Sequence, residues 1–162
     1  MKIIEWIYLR YSNMYWKLIY RSIRSKYKIS TTFKFNGKEI QFYGDGLIQA
    51  GNNSYIGSYS SIQAHHNCKV VIGEGCMLSH NVRIYTSSLI PDQDLSKLPH
   101  LEKIGDVIIG DYVWVGANTL INPGIIIGNN SIIGANSVVT KNIGEFEIVG
   151  GVPAKLIRVK KI

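Results

Sequence analysis

The sequence predicts an all-β solenoid, a parallel β-helix with an N-terminal helical segment and one extended loop. Three observations predict it. From Ile109 onward an aliphatic residue recurs every six positions, a small or polar residue follows each one, and the first 28 residues obey a different, helical spacing. A period of six matches neither an amphipathic helix, near 3.6, nor a half-buried strand, near 2. It matches short straight faces joined by tight turns, with one aliphatic side chain per face pointing inward.

The chain opens on the helical segment, residues 1–30. Ile4, Tyr8, Tyr11, Tyr15, Leu18 and Ile19 recur at three- and four-residue steps over residues 1–28, and Trp6, Trp16 and Tyr20 add aromatic bulk. Lys2, Arg10, Lys17, Arg21, Arg24, Lys26 and Lys28 face a single acid, Glu5, so this segment carries +6 of the chain's net +7. Two readings stay open. The helix caps the open end of the solenoid, or residues 1–28 touch a membrane surface as a basic, aromatic interfacial helix.

Residues 31–150 read as the β-helix. From Ile109 the chain runs IGDYVW, VGANTL, INPGII, IGNNSI, IGANSV, VTKNIG. Ile109, Val115, Ile121, Ile127, Ile133 and Val139 hold the first slot, and Val113, Thr119, Ile125, Ser131, Ser137 and Ile143 hold the fifth. Upstream, Ile72, Leu78 and Ile84 keep the step, as do Ile56 and Ile62. The Gly-Asn-Asn and Gly-Ala-Asn corners suit turn conformations. Three faces close one coil, and stacked coils bury a continuous Ile/Val core.

Two breaks interrupt the repeat, and solenoid function concentrates at interruptions. Ile62 and Ile72 stand ten apart rather than six or twelve, around Ala64-His65-His66-Asn67-Cys68. Counting by six puts His66 in an inward slot that suits imidazole poorly, so a register change is expected there. The second break, 86–106, reads as a loop bounded by Pro91 and Pro99 and carrying Asp92, Asp94 and His100. Residues 151–162 form a C-terminal tail with Lys155, Arg158, Lys160 and Lys161.

The segments VVIGEGCMLSHNVRIYT, VIIGDYVWVGANTLINPGIIIGNNSIIGANSVVTKNI and VGGVPAKLIR resemble the hexapeptide-repeat acyltransferases over roughly residues 45–158. The likeness is to the galactoside and maltose O-acetyltransferase branch and to surface-polysaccharide acetyltransferases. It implies a left-handed β-helix, a homotrimer, acetyl-CoA as co-substrate with no metal, and a sugar or glycan acceptor in surface-polysaccharide (LPS or capsule) biosynthesis. Matching positions imply a CoA grip by Trp114, Gly116, Ala117, Gly134, Ala135, Thr140 and Lys141, with Lys155 and Arg158 of the tail neutralising phosphate.

Transfer to a sugar hydroxyl profits from a general base, and histidine suits the task. In the galactoside branch the catalytic histidine follows the IYT-type segment. Aligning IYTSSL without gaps puts Leu89 at that place. Three readings remain: His100 returns from the loop, His66 or His80 serves from a neighbouring coil, or no base is used because the acceptor is the amine of a nucleotide-linked amino sugar. His65, Asn67, Asn81, Asp92 and Asp94 are the candidates for holding the acceptor.

Composition bounds the alternatives. The 162 residues, 46% apolar, allow one globular domain. The early Ile3-Ile4 run is broken by Glu5 and Arg10 before a secretory leader forms, and no window of about 18 apolar residues predicts a membrane span. Cys68 and Cys76 give neither a disulfide framework nor a CxxC metal motif, and a reducing cytoplasm is the expected setting, with a peripheral place at the inner membrane face as the alternative that a membrane-touching helix implies. Seven basic against ten acidic groups leave residues 29–154 at −3, which argues against a nucleic-acid surface. A γ-carbonic-anhydrase-like zinc site needs about three converging ligands, and the spacings of His66, His80 and His100 do not resemble that family. An ice-binding or scaffold solenoid predicts one regular flat face, unlike a chain with two polar interruptions.

Overall fold

A computed structural model describes residues 2–161 as a left-handed parallel β-helix of about five coils preceded by one helix. The helix, α1, runs Lys2–Lys26. The first coil is β1 (Lys28–Ile29), β2 (Lys34–Asn36) and β3 (Gln41–Tyr43). The second is β4 (Leu47–Ala50), β5 (Tyr55–Gly57) and β6 (Ser61–Gln63), and the third is β7 (Lys69–Ile72), β8 (Met77–Leu78) and β9 (Arg83–Tyr85). A hairpin, β10 (Ser87–Leu89) and β11 (Glu102–Ile104), then leaves the coil. The fourth coil is β12 (Val107–Ile109), β13 (Trp114–Val115) and β14 (Leu120–Ile121). The fifth is β15 (Ile126–Ile127), β16 (Ile132–Ile133) and β17 (Val138–Val139). β18 (Glu147–Gly150) opens a further turn, and β19 (Lys155–Val159) folds back on it antiparallel.

The strands stack into three faces. The first holds β1, β4, β7, β12 and β15, the second β2, β5, β8, β13, β16, β18 and β19, and the third β3, β6, β9, β14 and β17. Both slots of the six-residue repeat point inward as expected. Ile109, Val115, Ile121, Ile127, Ile133 and Val139 are buried, as are Val113, Thr119, Ile125, Ser131, Ser137 and Ile143. The buried hydroxyls are satisfied at the turns: Ser131 donates to the Gly128 carbonyl, Ser137 to that of Gly134, and Thr119 to that of Gly116. At the edge between the second and third faces, Asn81, Asn118 and Asn136 all take a left-handed conformation, which Asn tolerates well. Their amides form a ladder, Asn81 donating to Asn118 and Asn118 to Asn136, each at 2.9 Å.

Three boundaries differ from the sequence expectation. The helical segment stops at Lys26 rather than residue 30, because Lys28–Ile29 already pair with Gln49–Ala50 as the first strand of the solenoid. The coils therefore begin at Lys28 rather than residue 31. The tail is a strand, since β19 pairs with β18 and closes the C-terminal end of the second face. At the first break the register change is explicit. Ala64 and Cys68 turn inward, His66 and Asn67 turn out, and Val70 and Ile72 resume the core.

Only the C-terminal third of α1 docks. Ile23 and Tyr27 are buried against the first coil, and Tyr20 stacks on Phe35 with ring centroids 4.4 Å apart. Tyr20 and Tyr27 donate hydroxyl hydrogen bonds to the carbonyls of Gly37 and Gly44, and Arg24 to those of Ser30 and Phe33. Beneath, Phe33 packs edge-on against Phe35 and Phe42, and Phe35 lies tilted on Phe42. This aromatic plug removes from water the core that the first coil would otherwise expose. Residues 3–18 leave the body, with most of their side chains exposed.

Candidate active site

The edge joining the third face to the first carries both breaks, one above the other. Thr86, at the root of the hairpin, is buried, and its hydroxyl accepts the His65 N–H at 2.7 Å. Gln63 accepts the Thr86 N–H at 3.1 Å and donates to Ser87 at 3.0 Å. The histidine corner is thus tied to the start of the hairpin by backbone and side-chain bonds together.

His65 has a ring nitrogen open at this corner. Its Nδ1 lies 3.0 Å from the His66 carbonyl oxygen, which can only accept, so Nδ1 carries the proton and Nε2 keeps a free lone pair. Nε2 stands 3.8 Å from Glu102 Oε2, too far for a hydrogen bond to occupy it. Glu102 is the cross-strand partner of Leu89 in the hairpin, so their side chains share a face. Both line a cleft of about 740 Å³ with Ser88, Ile90, Lys103 and Asn122. The carboxylate that meets His65 therefore stands beside the residue occupying the relatives' histidine position. The pair is over a third exposed, so solvent screening makes it a weak contributor to stability.

The other three histidines fit a base less well. His80 accepts the Ser58 N–H on Nδ1 at 3.1 Å, so its neutral ring carries the proton on Nε2 and its basic nitrogen is occupied. It also lies on the edge between the second and third faces, away from His65. His100 donates from Nε2 to the Leu95 carbonyl at 3.0 Å, a bond internal to the loop. His66 is exposed and shares a cleft of about 460 Å³ with Asp45, Asn67, Lys69 and Asp106.

The acceptor candidates separate likewise. Asn67 lies beside His66 in that cleft, whereas the Asn81 amide is committed to the asparagine ladder. Asp94 caps its own turn, accepting from the Ser96 N–H and hydroxyl and pairing with Lys97 at 3.4 Å. The Ser96 hydroxyl, its N–H and then Lys97 hold the Asp94 carboxyl below its usual range. Asp92 is exposed on the same loop. Burial pushes both the Cys68 and the Cys76 thiols up, which disfavours thiolate chemistry at either.

The CoA candidates fall on two edges. Trp114, Gly116, Ala117, Gly134 and Ala135 follow the second face and its corner with the third. Thr140 and Lys141 meet Lys155 around a cleft of about 320 Å³ at the C-terminal end, while Arg158 pairs with Ile148 outside its lining. The two glycines differ in what they need. A Cβ on Gly116 would lie 2.4 Å from the Ala135 backbone nitrogen, so coil stacking alone requires that glycine. A Cβ on Gly134 would meet nothing closer than 3.4 Å. Gly116→Ala is therefore expected to destabilise by about 1–3 kcal/mol and Gly134→Ala by under about 0.5 kcal/mol, read by thermal unfolding. If bare backbone at Gly134 serves the donor, Gly134→Ala raises KM for acetyl-CoA without lowering Tm.

Sequence reasoning missed Glu102, Thr86 and Gln63. Prolines marked the loop, but nothing in its sequence fixes a register that sets Leu89 opposite Glu102. Among the described residues no group of three or more His, Cys, Asp or Glu side chains converges as a metal site.

Residues 106–141 match the family model described as bacterial transferase hexapeptide (six repeats). The chain is 35% identical over 126 residues to the polysialic acid O-acetyltransferase of Escherichia coli O1:K1 / APEC, covering 75% of this chain and 41% of that protein. It is 34% identical to the solved maltose O-acetyltransferase of Clostridium difficile 630, with a TM-score of 0.60 and coverage of 81% and 72%. A hexapeptide-repeat-containing acetyltransferase of Vibrio cholerae, solved with acetyl coenzyme A, superposes with a TM-score of 0.70 at 25% identity, covering 88% of this chain and 76% of that one. The chain spans about half the length of the first curated relatives it matches. Repeat, three-faced coil and these likenesses agree, and the chain belongs to the hexapeptide-repeat acetyltransferases.

Proposed function

We propose that this chain moves an acetyl group from acetyl-CoA to a sugar hydroxyl of a surface polysaccharide or its precursor, with His65 as general base. The observation that carries the reading is the free Nε2 of His65 beside Glu102 at the hairpin root. The acceptor O–H gives its proton to Nε2 as its oxygen attacks the thioester carbonyl. The new C–O bond forms, the C–S bond breaks, and the imidazolium, paired with Glu102, returns the proton to the CoA sulfur. The likenesses to a polysialic acid O-acetyltransferase, a maltose O-acetyltransferase and an acetyl-CoA complex support the choice of donor and acceptor class.

A homotrimer is part of the proposal. The His65 edge and the Trp114–Ala135 edge lie apart in one chain, and a neighbouring copy can set one against the other. Light scattering is expected to read three chains of 18.2 kDa. No described helix is long and apolar enough to cross a membrane. The proposed setting is cytoplasmic, where the donor is made, with the exposed residues 3–18 of α1 placed to reach the inner membrane face.

The deciding experiment measures CoA release from acetyl-CoA against a panel of neutral sugars, oligosaccharides, amino sugars and nucleotide sugars. Turnover with hydroxyl acceptors, lost in His65→Ala, supports the reading. Turnover restricted to amino sugars and unchanged in His65→Ala sinks it and leaves base-free N-acetylation in its place.

A further inference from the structure

Helix α1 presents two apolar sides, and only one has a partner. Ile19, Tyr20, Ile23 and Tyr27 form the side that plugs the first coil. Ile4, Ile7, Tyr11, Met14, Tyr15 and Leu18 recur at three- and four-residue steps on the roughly opposite side, and each is at least 42% exposed. Such a continuous stripe on a helix that leaves the body is unusual for a surface facing only water.

The charge around the stripe says what would cover it. Arg10, Lys17 and Arg21 stand seven and four residues apart along one flank, and all are exposed. The guanidinium of Arg10 lies 5.3 Å from the centre of the Trp6 ring, with Ile7, Tyr11 and Met14 lining the same shallow groove. Glu5 is the one acid in the helix, and by helical spacing it lies away from this flank. In a bundle of identical helices the flanking cations would meet only one another. A sheet of anionic headgroups would neutralise them, while the Ile, Met and Tyr side chains enter the boundary between headgroups and acyl chains. Trp and Tyr favour that boundary because their rings are apolar and their N–H and O–H groups stay hydrated.

We propose that residues 3–21 lie in the surface of an anionic phospholipid leaflet, apolar stripe inward, with the Ile19–Tyr27 side holding the β-helix against the membrane. This is independent of the acetyl-transfer reading and would place the enzyme beside a lipid-linked glycan.

The test uses the full chain and two kinds of vesicle, phosphatidylcholine alone and phosphatidylcholine mixed with phosphatidylglycerol. Co-sedimentation with the mixed vesicles is expected to exceed that with phosphatidylcholine by about tenfold or more at low salt and to fall as salt rises. Arg10→Glu/Lys17→Glu, and separately Ile7→Glu/Tyr11→Glu, should each abolish that excess. Because these side chains are exposed, Tm and turnover of a soluble acceptor should hold. Failure of the parent protein to bind mixed vesicles overturns the proposal, as does undiminished binding by both double variants. A fall in oligomer mass in Ile7→Glu/Tyr11→Glu also overturns it, because the stripe would then be a seam between copies.

Discussion

Replacing His65 by alanine is expected to lower kcat on the true sugar acceptor by about 10²–10⁴-fold, the range that a positioned base contributes. KM for acetyl-CoA should change little, since the imidazole acts on the acceptor proton. The tautomer makes the experiment discriminating. His65 holds its proton on Nδ1 against the His66 carbonyl and keeps Nε2 open, whereas His80 spends its basic nitrogen on the Ser58 N–H. His80→Ala should therefore cost only a few-fold, through loss of that corner bond. Glu102→Gln keeps the shape and removes the charge facing Nε2. It should lower kcat by roughly tenfold at unchanged acetyl-CoA KM, as expected for a positioning residue that stabilises the imidazolium as it forms, and Glu102→Asp should restore part of the loss. If His65→Ala is fully active while His66→Ala is not, the base belongs to the Asp45–Asp106 cleft instead.

Ile127→Ala is expected to cost about 2–5 kcal/mol, and Ile126→Ala about 0.5 kcal/mol or less. The two are sequence neighbours of identical chemistry. Ile127 is 1% exposed and stacks on Ile109 of the coil below and, through a parallel bridge, on Ile143 above. Ile126 is 53% exposed on the outer side of the same strand. In a solenoid each coil touches only its neighbours, so a hole at Ile127 weakens two interfaces and the rigid backbone ladder hinders its collapse. For a chain of this length 1 kcal/mol moves Tm by about 2–4 °C. Thermal unfolding at one fixed protein concentration should therefore separate the variants by roughly 5 °C or more. Equal Tm values would contradict the inward and outward assignment of the repeat.

The same pair shows how much was legible in advance. Counting by six from Ile109 identifies Ile127 as inward and Ile126 as outward without coordinates, because the corner geometry repeats with the sequence. The same count failed at Ile62, where four additional residues let Ala64 and Cys68 turn in and pushed His66 out. The rank order of the histidines also changed. By residue type and resemblance, His66, His80 and His100 were the candidate bases and His65 an acceptor contact. Ring-nitrogen occupancy separates His65 from His80, and position separates it from His66 and His100, because His65 sits at a corner held by Thr86 and faces Glu102 of the hairpin.

The N-terminal segment is a further case. Its helical period and its charge of +6 are plain in the sequence. Which side docks is not, because apolar groups occur around most of the helix and only the position of the first coil selects Ile23 and Tyr27 as the plug.

By itself, then, the sequence determined the three-faced coil, most of its inward residues and the place of the excursion, which follow from spacing along the chain, while its quoted segments carried the resemblance to the family. The tertiary structure decided which ring nitrogen of His65 is free, which carboxylate faces it, the division of the CoA candidates between two edges and the uncovered side of α1. These depend on contacts between residues 17 to 37 positions apart, from Tyr20 on Gly37 to His65 beside Glu102. A solenoid makes such contacts by stacking coils whose lengths vary at the breaks, and the period no longer counts across a break.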